Sequence, residues 1–179
     1  MFTILTEAVT QATSFTFAQY LSDMTFGSAL ALLGAFLAVG LAGWGSAKGV
    51  GMVGQAAAGV ISEDPSVAGK AIILQALPAT QGLYGFVVAF LVMLKGGALS
   101  SGGIFQLTTE QGMFFLVACL PIAFVGFVSA IHQAKVAAAG VQMISKQKDK
   151  FGTAITSSAL VETYALFALL VSALLVLLY

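Results

Sequence analysis

The chain has 179 residues, of which 59% are hydrophobic and only 8% are charged. A water-soluble domain of this size carries far more charge, so the composition indicates a membrane protein. Seven lysines balance seven Asp and Glu residues, and arginine is absent. The zero net charge argues against a nucleic-acid partner, because such a partner requires a basic face.

Four apolar stretches follow an N-terminal extension that has no basic residue before its apolar part, so a cleaved secretory signal is poorly supported. Each stretch is long enough to cross a bilayer as a helix, which takes about 20 residues. They are Met24–Ala47, Ala71–Leu94, Gln111–Ala134 and Phe151–Tyr179, and only the last contains a charged residue, Glu162. The first and third patterns continue to Ile61 and Ile144. The predicted fold is all-α, with four transmembrane helices.

Two short loops, at Ser62–Pro65 and Lys146–Lys150, join the helices in pairs, and six of the seven lysines lie in or around these connections. Short connections make each pair an antiparallel hairpin. Because most lysines lie near these loops, the positive-inside rule predicts cytoplasmic loops and extracytoplasmic termini. We divide the chain into an N-terminal extension (1–26), a first hairpin (27–95), an extracytoplasmic connection (96–110) and a second hairpin (111–179).

The two hairpins resemble each other. Ala56–Val60 recurs as Ala137–Val141 at an offset of 81 in residue number, and Ala76–Thr80 matches Ala159–Thr163 at an offset of 83. The two offsets differ by two residues, which predicts a slightly longer second loop. The pattern indicates a tandem repeat. The alternative is that the two hairpins are similar in composition alone. In this repeat Ala79 takes the place of Glu162, so only one hairpin carries a carboxylate at this position inside the membrane.

A glycine motif in the first helix, Gly49–Gly54, formally matches G-x-G-x-x-G. The nucleotide-binding version requires a preceding strand and an acidic residue about 20 positions later. Neither is predicted here, so we expect this chain to bind no nucleotide.

Glu162 lies in the middle of a predicted membrane helix. A carboxylate at that depth costs about 2.5–3.5 kcal/mol on insertion scales, and such residues usually mark ion pathways. Gln133 and Glu162 are equally distant from the second loop, about 20 Å along each helix at about 1.5 Å per residue. The two side chains are therefore expected at the same depth. A glutamic acid kept protonated for packing alone is the structural alternative.

Further polar groups fall at the equivalent depth of the first hairpin, where Thr80 and Gln81 follow Pro78. Pro78 removes a backbone donor and disturbs the helix, so a nearby carbonyl is expected to be free for a cation. With Gln133 and Glu162, these oxygen ligands suit a hard monovalent cation such as Na⁺. A proton carrier needs only the carboxyl group and one hydrogen-bond partner. Tyr84 is expected either to hydrogen-bond the carboxylate or to lie at the membrane interface.

Two other residues receive structural interpretations. Cys119 is expected to be a small packing residue. His132 neighbours Gln133 but points about 100° away around the helix, so we interpret it as a packing or lipid-facing residue.

Three segments in this order, Leu77–Gly85, His132–Gly140 and Val161–Ala165, closely resemble the proteolipid (K, or c-type) subunit of bacterial V-type sodium ATPases. The resemblance implies a four-helix subunit that assembles into a multi-copy rotor ring. It also implies an Na⁺ site formed by the side chains of Thr80, Gln81, Gln133 and Glu162 and the backbone carbonyl of Leu77, with support from Tyr84.

The same resemblance implies the partners. They are further copies of the chain in a homo-oligomeric ring, the lipid of the cell membrane, a stator membrane subunit that supplies an arginine, and a central-stalk subunit on the cytoplasmic side. ATP hydrolysis would take place in a separate soluble head, so this chain would be non-catalytic. The alternatives are H⁺ as the coupling ion in the same rotor, a small four-helix multidrug antiporter, or a ring without rotary coupling. The antiporter family carries its glutamate in the first helix, which disfavours it here.

Overall fold

A computed structural model describes residues 24–98 and 106–179 of the chain. They form five α-helices in four segments, each long and apolar enough to cross a membrane. The helices are α1 (Phe26–Glu63), α2 (Ala68–Ala76), α3 (Thr80–Lys95), α4 (Thr109–Lys146) and α5 (Phe151–Leu178). No strand occurs within these two ranges, and the predicted all-α class is confirmed. Most of the predicted N-terminal extension lies outside the described residues.

The second membrane segment is divided into α2 and α3 by a 3₁₀ turn at Leu77–Ala79. Pro78 lies in the middle of this turn and has no N–H to donate, which agrees with the predicted disturbance of the helix. The Thr80 N–H bonds to the Leu77 carbonyl and α3 begins there. The break therefore lies directly before Thr80 and Gln81.

Helices α1 and α4 have 38 residues each. At about 1.5 Å per residue they are about 57 Å long, which exceeds the hydrocarbon core of about 30 Å. Their predicted continuation to Ile61 and Ile144 is confirmed, because they end at Glu63 and Lys146. Both helices therefore extend well beyond the lipid.

The two hairpins have loops of equal length. Helix α4 begins and ends 83 residues after α1 does. The 3₁₀ turns that follow these helices start at Pro65 and Lys148, which are also 83 residues apart. The predicted longer second loop was therefore wrong. The match of Ala56–Val60 with Ala137–Val141 is out of register by two positions, because small residues recur along both closely packed helices.

Close contact between α1 and α4 explains part of the glycine content. A methyl group at Gly34 would lie 2.8 Å from the Leu116 Cα, and one at Gly45 would lie 2.8 Å from the Phe127 Cα. Only glycine allows backbones to approach so closely, and such contacts replace hydrophobic exclusion as the basis of helix association in lipid.

Two apolar clusters lie along the molecule with a polar layer between them. One contains Ala38, Val88 and Ile122, and the other contains Val53 and Leu74. The layer between them holds buried polar side chains from α1, α3, α4 and α5, namely Ser46, Gln81, Ser129, Gln133 and Ser158. Glu162 belongs to this layer.

Candidate ion-binding site

Helix α5 places the half-buried Glu162 against α3 and α4. The Tyr84 hydroxyl donates a hydrogen bond of 2.6 Å to Glu162 Oε1. The Gln133 side-chain amide donates one of 3.2 Å to Oε2. Each carboxylate oxygen thus has a donor from a different helix. The prediction that Gln133 and Glu162 lie at equal depth is confirmed. Of the two roles expected for Tyr84, the structure shows the hydrogen bond to the carboxylate.

A line of polar groups continues from Gln133 into the break of the second membrane segment. Gln133 Oε1 accepts a hydrogen bond of 2.5 Å from Gln81 Nε2, and both side chains are fully buried. The Thr80 hydroxyl lies 3.4 Å from Gln81 Oε1 and donates to the Leu77 carbonyl at 3.0 Å. The 3₁₀ turn therefore connects directly to the carboxylate through side chains alone.

The structure thus brings together all six groups that the sequence singled out. They are Leu77, Thr80, Gln81 and Tyr84 from the second segment, Gln133 from α4 and Glu162 from α5. The Leu77 carbonyl accepts from the Thr80 hydroxyl and from its N–H. That these groups bind an ion stays a prediction.

Sequence reasoning missed the serines around this line. The Ser129 hydroxyl donates to the Val161 carbonyl at 3.0 Å and lies 3.5 Å from Gln81 Nε2. The buried Ser158 hydroxyl lies 3.5 Å from the backbone carbonyl of Gln133. A signal was available, because Ser129 precedes Gln133 by four residues and so shares its helix face.

The charge of Glu162 has no partner of opposite sign in the described part of the chain. The ion pairs there, Lys148 with Asp64 and Lys150 with Asp149, both belong to the short loops. Hydroxyl, carboxamide, carbonyl and carboxylate oxygens are the ligands that hard cations prefer. The arrangement defines a class: a two-hairpin membrane protein with one carboxylate among oxygen-bearing polar groups inside its helical bundle.

Comparison with known proteins places the chain within that class. The model of the family described as the C subunit of ATP synthase matches residues 33–92 and again residues 116–175. The chain belongs to this family. The two matches differ in residue number by 83 at both ends, so they confirm the tandem hairpin repeat and its register.

Two curated relatives are similar over most of this chain. The V-type sodium ATPase subunit K of Enterococcus hirae is 46% identical over 158 residues, which are 88% of this chain and 97% of the relative. The A-type ATP synthase subunit K of Methanocaldococcus jannaschii is 42% identical over 146 residues, or 82% of this chain, but the match spans only 61% of that relative. The predicted resemblance to the proteolipid subunits of rotary ATPases is confirmed.

The repeat register shows what the first hairpin lacks. In this register Ala79 corresponds to Glu162, and Val50 corresponds to Gln133. Thr163 corresponds to Thr80, and its hydroxyl likewise bonds the carbonyl three residues earlier, at 2.8 Å. The first hairpin has therefore no counterpart to either the acid or the buried amide.

The G-x-G-x-x-G motif has a packing role in this structure. It lies inside α1, with Gly49 packed against Pro78. The motif is therefore part of a helix contact beside the polar layer.

Proposed function

We propose that this chain is the rotor-ring subunit of a V-type ATPase and that it carries Na⁺ across the membrane at Glu162. Thr80, Gln81, Gln133 and the Leu77 carbonyl are the further ligands in this proposal, and Tyr84 holds the carboxylate. Hydrolysis of ATP belongs to a separate soluble head. The proposal is supported by the similarity to a relative named as a sodium ATPase subunit.

The observation that carries the proposal is the environment of the Glu162 carboxylate. Its two oxygens are held by Tyr84 and Gln133, yet no basic group of the described residues offsets its charge. A charged group in hydrocarbon is costly. A bound cation neutralises it, so an occupied site can face lipid as the ring turns, whereas an empty charged site cannot.

Release of the ion requires a competing positive charge. All seven basic residues of this chain are lysines, and none pairs with Glu162 within the described ranges. We propose that a stator membrane subunit supplies an arginine beside the ring. Its guanidinium replaces the ion at each passing carboxylate, because arginine stays charged and binds a carboxylate through two hydrogen bonds.

The proposed orientation places both short loops in the cytoplasm and both termini outside. Six of the seven lysines lie in or around these two loops, which agrees with the positive-inside tendency. The long ends of α1 and α4 then project on the cytoplasmic side, where a central-stalk subunit would contact them.

Proton coupling is the alternative for the same rotor. A proton needs only Glu162 and one partner such as Tyr84, whereas Na⁺ needs several oxygens. The line of oxygen-bearing side chains from Thr80 to Gln133 favours Na⁺.

The test is labelling of Glu162 by a carbodiimide, which reacts with a protonated carboxyl group. We expect Na⁺ at neutral pH to slow labelling of the purified ring, because a bound ion excludes the proton. Glu162→Gln is the control for specificity, and this variant should show no labelling that responds to Na⁺. If acidity alone governs labelling and Na⁺ has no effect, the coupling ion is H⁺. Absence of any label at Glu162 would contradict the ion-carrying role itself.

A further inference from the structure

Helix α3 begins inside a membrane segment, directly after the 3₁₀ turn, and the first N–H groups of a helix need acceptors from outside it. The N-cap residue usually supplies one from its side chain, with its backbone in an extended conformation. The N-cap residue of α3 is Ala79, whose side chain has no acceptor and whose backbone is helical, with φ -79° and ψ -22°. A local cap is therefore missing where the candidate ligands Thr80 and Gln81 begin.

Helix α1 supplies an acceptor in place of the missing cap. The Gly82 N–H, in the first turn of α3, donates a hydrogen bond of 2.8 Å to the Ser46 hydroxyl oxygen. Glycine allows this approach, because a methyl group at Gly82 would lie 3.2 Å from the Ser46 Oγ and 3.4 Å from the Gly43 Cα. Ser46 is buried, so the bond is shielded from water. The start of α3 is thus capped by a side chain of another helix.

Ser46 is itself held in place by close contacts of α1 on both sides. One residue earlier, a methyl group at Gly45 would lie 2.8 Å from the Phe127 Cα of α4. Three residues later, one at Gly49 would lie 2.9 Å from the Pro78 Cβ in the 3₁₀ turn. These contacts fix the level of α1 against both neighbours. The capping hydroxyl therefore has a defined position relative to the break.

The repeat shows that this capping role belongs to the broken segment. Ser46 corresponds to Ser129 in the repeat register. In the second hairpin α5 runs without a break over Phe151–Leu178, and the Ser129 hydroxyl donates to the Val161 carbonyl at 3.0 Å. In the first hairpin the hydroxyl accepts an N–H instead. The serine at this position is thus an acceptor where the facing helix starts anew and a donor where it continues.

The cap acts on the first turn of α3, because packing fixes the helix from Gly85 onward. A methyl group at Gly85 would meet the Ala38 carbonyl of α1 and lie 2.8 Å from the Ala42 Cβ. Tyr84 precedes Gly85 directly, and its hydroxyl is bonded to Glu162. Tyr84 is therefore held by this packing and by its own hydrogen bond, without need of the cap.

We infer that Ser46 is a positioning residue of the candidate ion site, which fixes the first turn of α3 and with it Thr80 and Gln81. Both residues lie within two positions of Gly82, so a rotation of the first turn would move their side chains out of line with Gln133. The inference rests on the proposed function, in which Thr80 and Gln81 are Na⁺ ligands. Ser46 acts on the ion only through them.

This role predicts different effects on the two ions that Glu162 can carry. Na⁺ needs several oxygen ligands, whereas a proton needs only the carboxyl group and a partner such as Tyr84. Loss of the cap should therefore weaken Na⁺ binding and leave unchanged the acid dependence of carbodiimide labelling without Na⁺. A general loosening of the helices would change both. The two measurements together separate positioning from a purely structural role.

Ser46→Ala in the purified intact ring is the test. The Na⁺ concentration that halves the labelling rate should rise about fivefold, the effect of one lost hydrogen bond. The pH of half-maximal labelling without Na⁺ should stay the same. Ser172→Ala is the matched control, because this buried hydroxyl also accepts a backbone N–H, that of Ile122 at 3.2 Å. Ser172 lies about 15 Å along α5 from Glu162, so its loss should change neither value.

The Gly82 amide provides a second readout, independent of Na⁺. In solid-state NMR of the ring with nitrogen-labelled glycine, its proton resonance should move upfield in Ser46→Ala and stay in place in Ser172→Ala. An unchanged Na⁺ value, a change in both labelling values, or failure of the Ser46→Ala ring alone to assemble would overturn the inference. Absence of Na⁺ protection in the unsubstituted ring would instead contradict the proposed function, and the NMR shift would still report whether Ser46 caps α3.

Discussion

At the scale of single residues, the two oxygens of Glu162 depend on donors from two other helices, Tyr84 from α3 and Gln133 from α4. Both donors fix the direction of the carboxylate, and neither supplies charge. Loss of the charge and loss of its orientation should therefore have different consequences for an ion carrier.

Tyr84→Phe should weaken Na⁺ binding about tenfold. The change removes one hydrogen bond to a charged group, which contributes about 1.5–3 kcal/mol, and about 1.4 kcal/mol corresponds to tenfold. The measurement is the Na⁺ concentration that halves the rate of carbodiimide labelling. Tyr179→Phe is the control, because that ring packs against Phe114 far from the site and should leave the value unchanged. Equal values for Tyr84→Phe and the unsubstituted chain would show that the hydroxyl has no role in binding.

Glu162→Gln should abolish Na⁺ transport while the ring stays assembled. The amide keeps the shape of the side chain and its capacity for hydrogen bonding, but it cannot offset the charge of a cation. Transport into vesicles and the oligomer size on a native gel are the two measurements. Dissociation of the ring would indicate instead that Glu162 serves mainly for packing.

At the scale of elements, the break at Leu77–Ala79 determines how the second segment presents its polar groups. Each residue of a 3₁₀ turn advances by about 120°, compared with about 100° in an α-helix. Over three residues the difference is about 60°. The turn therefore rotates Thr80 and Gln81 relative to α2.

Pro78→Ala should restore a continuous helix and weaken Na⁺ binding by at least tenfold, because Thr80 and Gln81 would rotate out of line with Gln133. Thermal stability should be retained or raised, since proline within a helix costs about 3 kcal/mol. Pro121→Ala in α4 is the control at a proline outside the site, and it should leave Na⁺ binding unchanged. Unchanged binding in Pro78→Ala would mean that the turn does not position the ligands.

The side chains of the candidate site were predictable because each is polar in an otherwise apolar helix, whereas the Leu77 carbonyl was predicted only through the family resemblance. Equal distance from a loop then placed Gln133 opposite Glu162. Ser129 could have been found from its spacing of four residues to Gln133, whereas Ser158 could not, since serine is common in membrane helices and bonds to many backbone carbonyls. The loop lengths were mispredicted because alanine and glycine recur along α1 and α4, and such residues align in more than one register.

At the scale of the whole molecule, the two hairpins are joined at their loops. The Lys148 ammonium pairs with Asp64 at 2.5 Å and bonds the Ser66 hydroxyl at 2.6 Å, and Lys70 bonds the Lys148 carbonyl at 2.7 Å. The hydrogen bonds from Lys148 and then from Ser66 lower the pKa of Asp64 from 3.8 to about 2. Because the pKa is lower in the folded chain, this contact stabilises fully above a pH of 3.8 and is lost as the pH falls through about 2.

Lys148→Ala should raise the pKa of Asp64 toward 3.8, because the main donor to its carboxylate is removed. Carboxyl-carbon NMR of the purified protein during an acid titration measures this pKa. Lys150→Ala is the matched control, since that lysine pairs with Asp149 instead and should leave Asp64 unaffected. Equal pKa values in the two variants would contradict the joined loops.

Because Ala79 stands in the first hairpin where the second has Glu162, each chain of the proposed rotor carries one ion, and this number sets how many ions move per revolution. A ring of given size then moves half as many ions per revolution as one with an acid in every hairpin. For a fixed number of ATP molecules per revolution, each ion receives twice the free energy. Because free energy is logarithmic in concentration, the limiting sodium ratio is squared when there is no voltage across the membrane. One acid per chain instead of two thus favours a steep sodium gradient over a large number of ions moved per revolution.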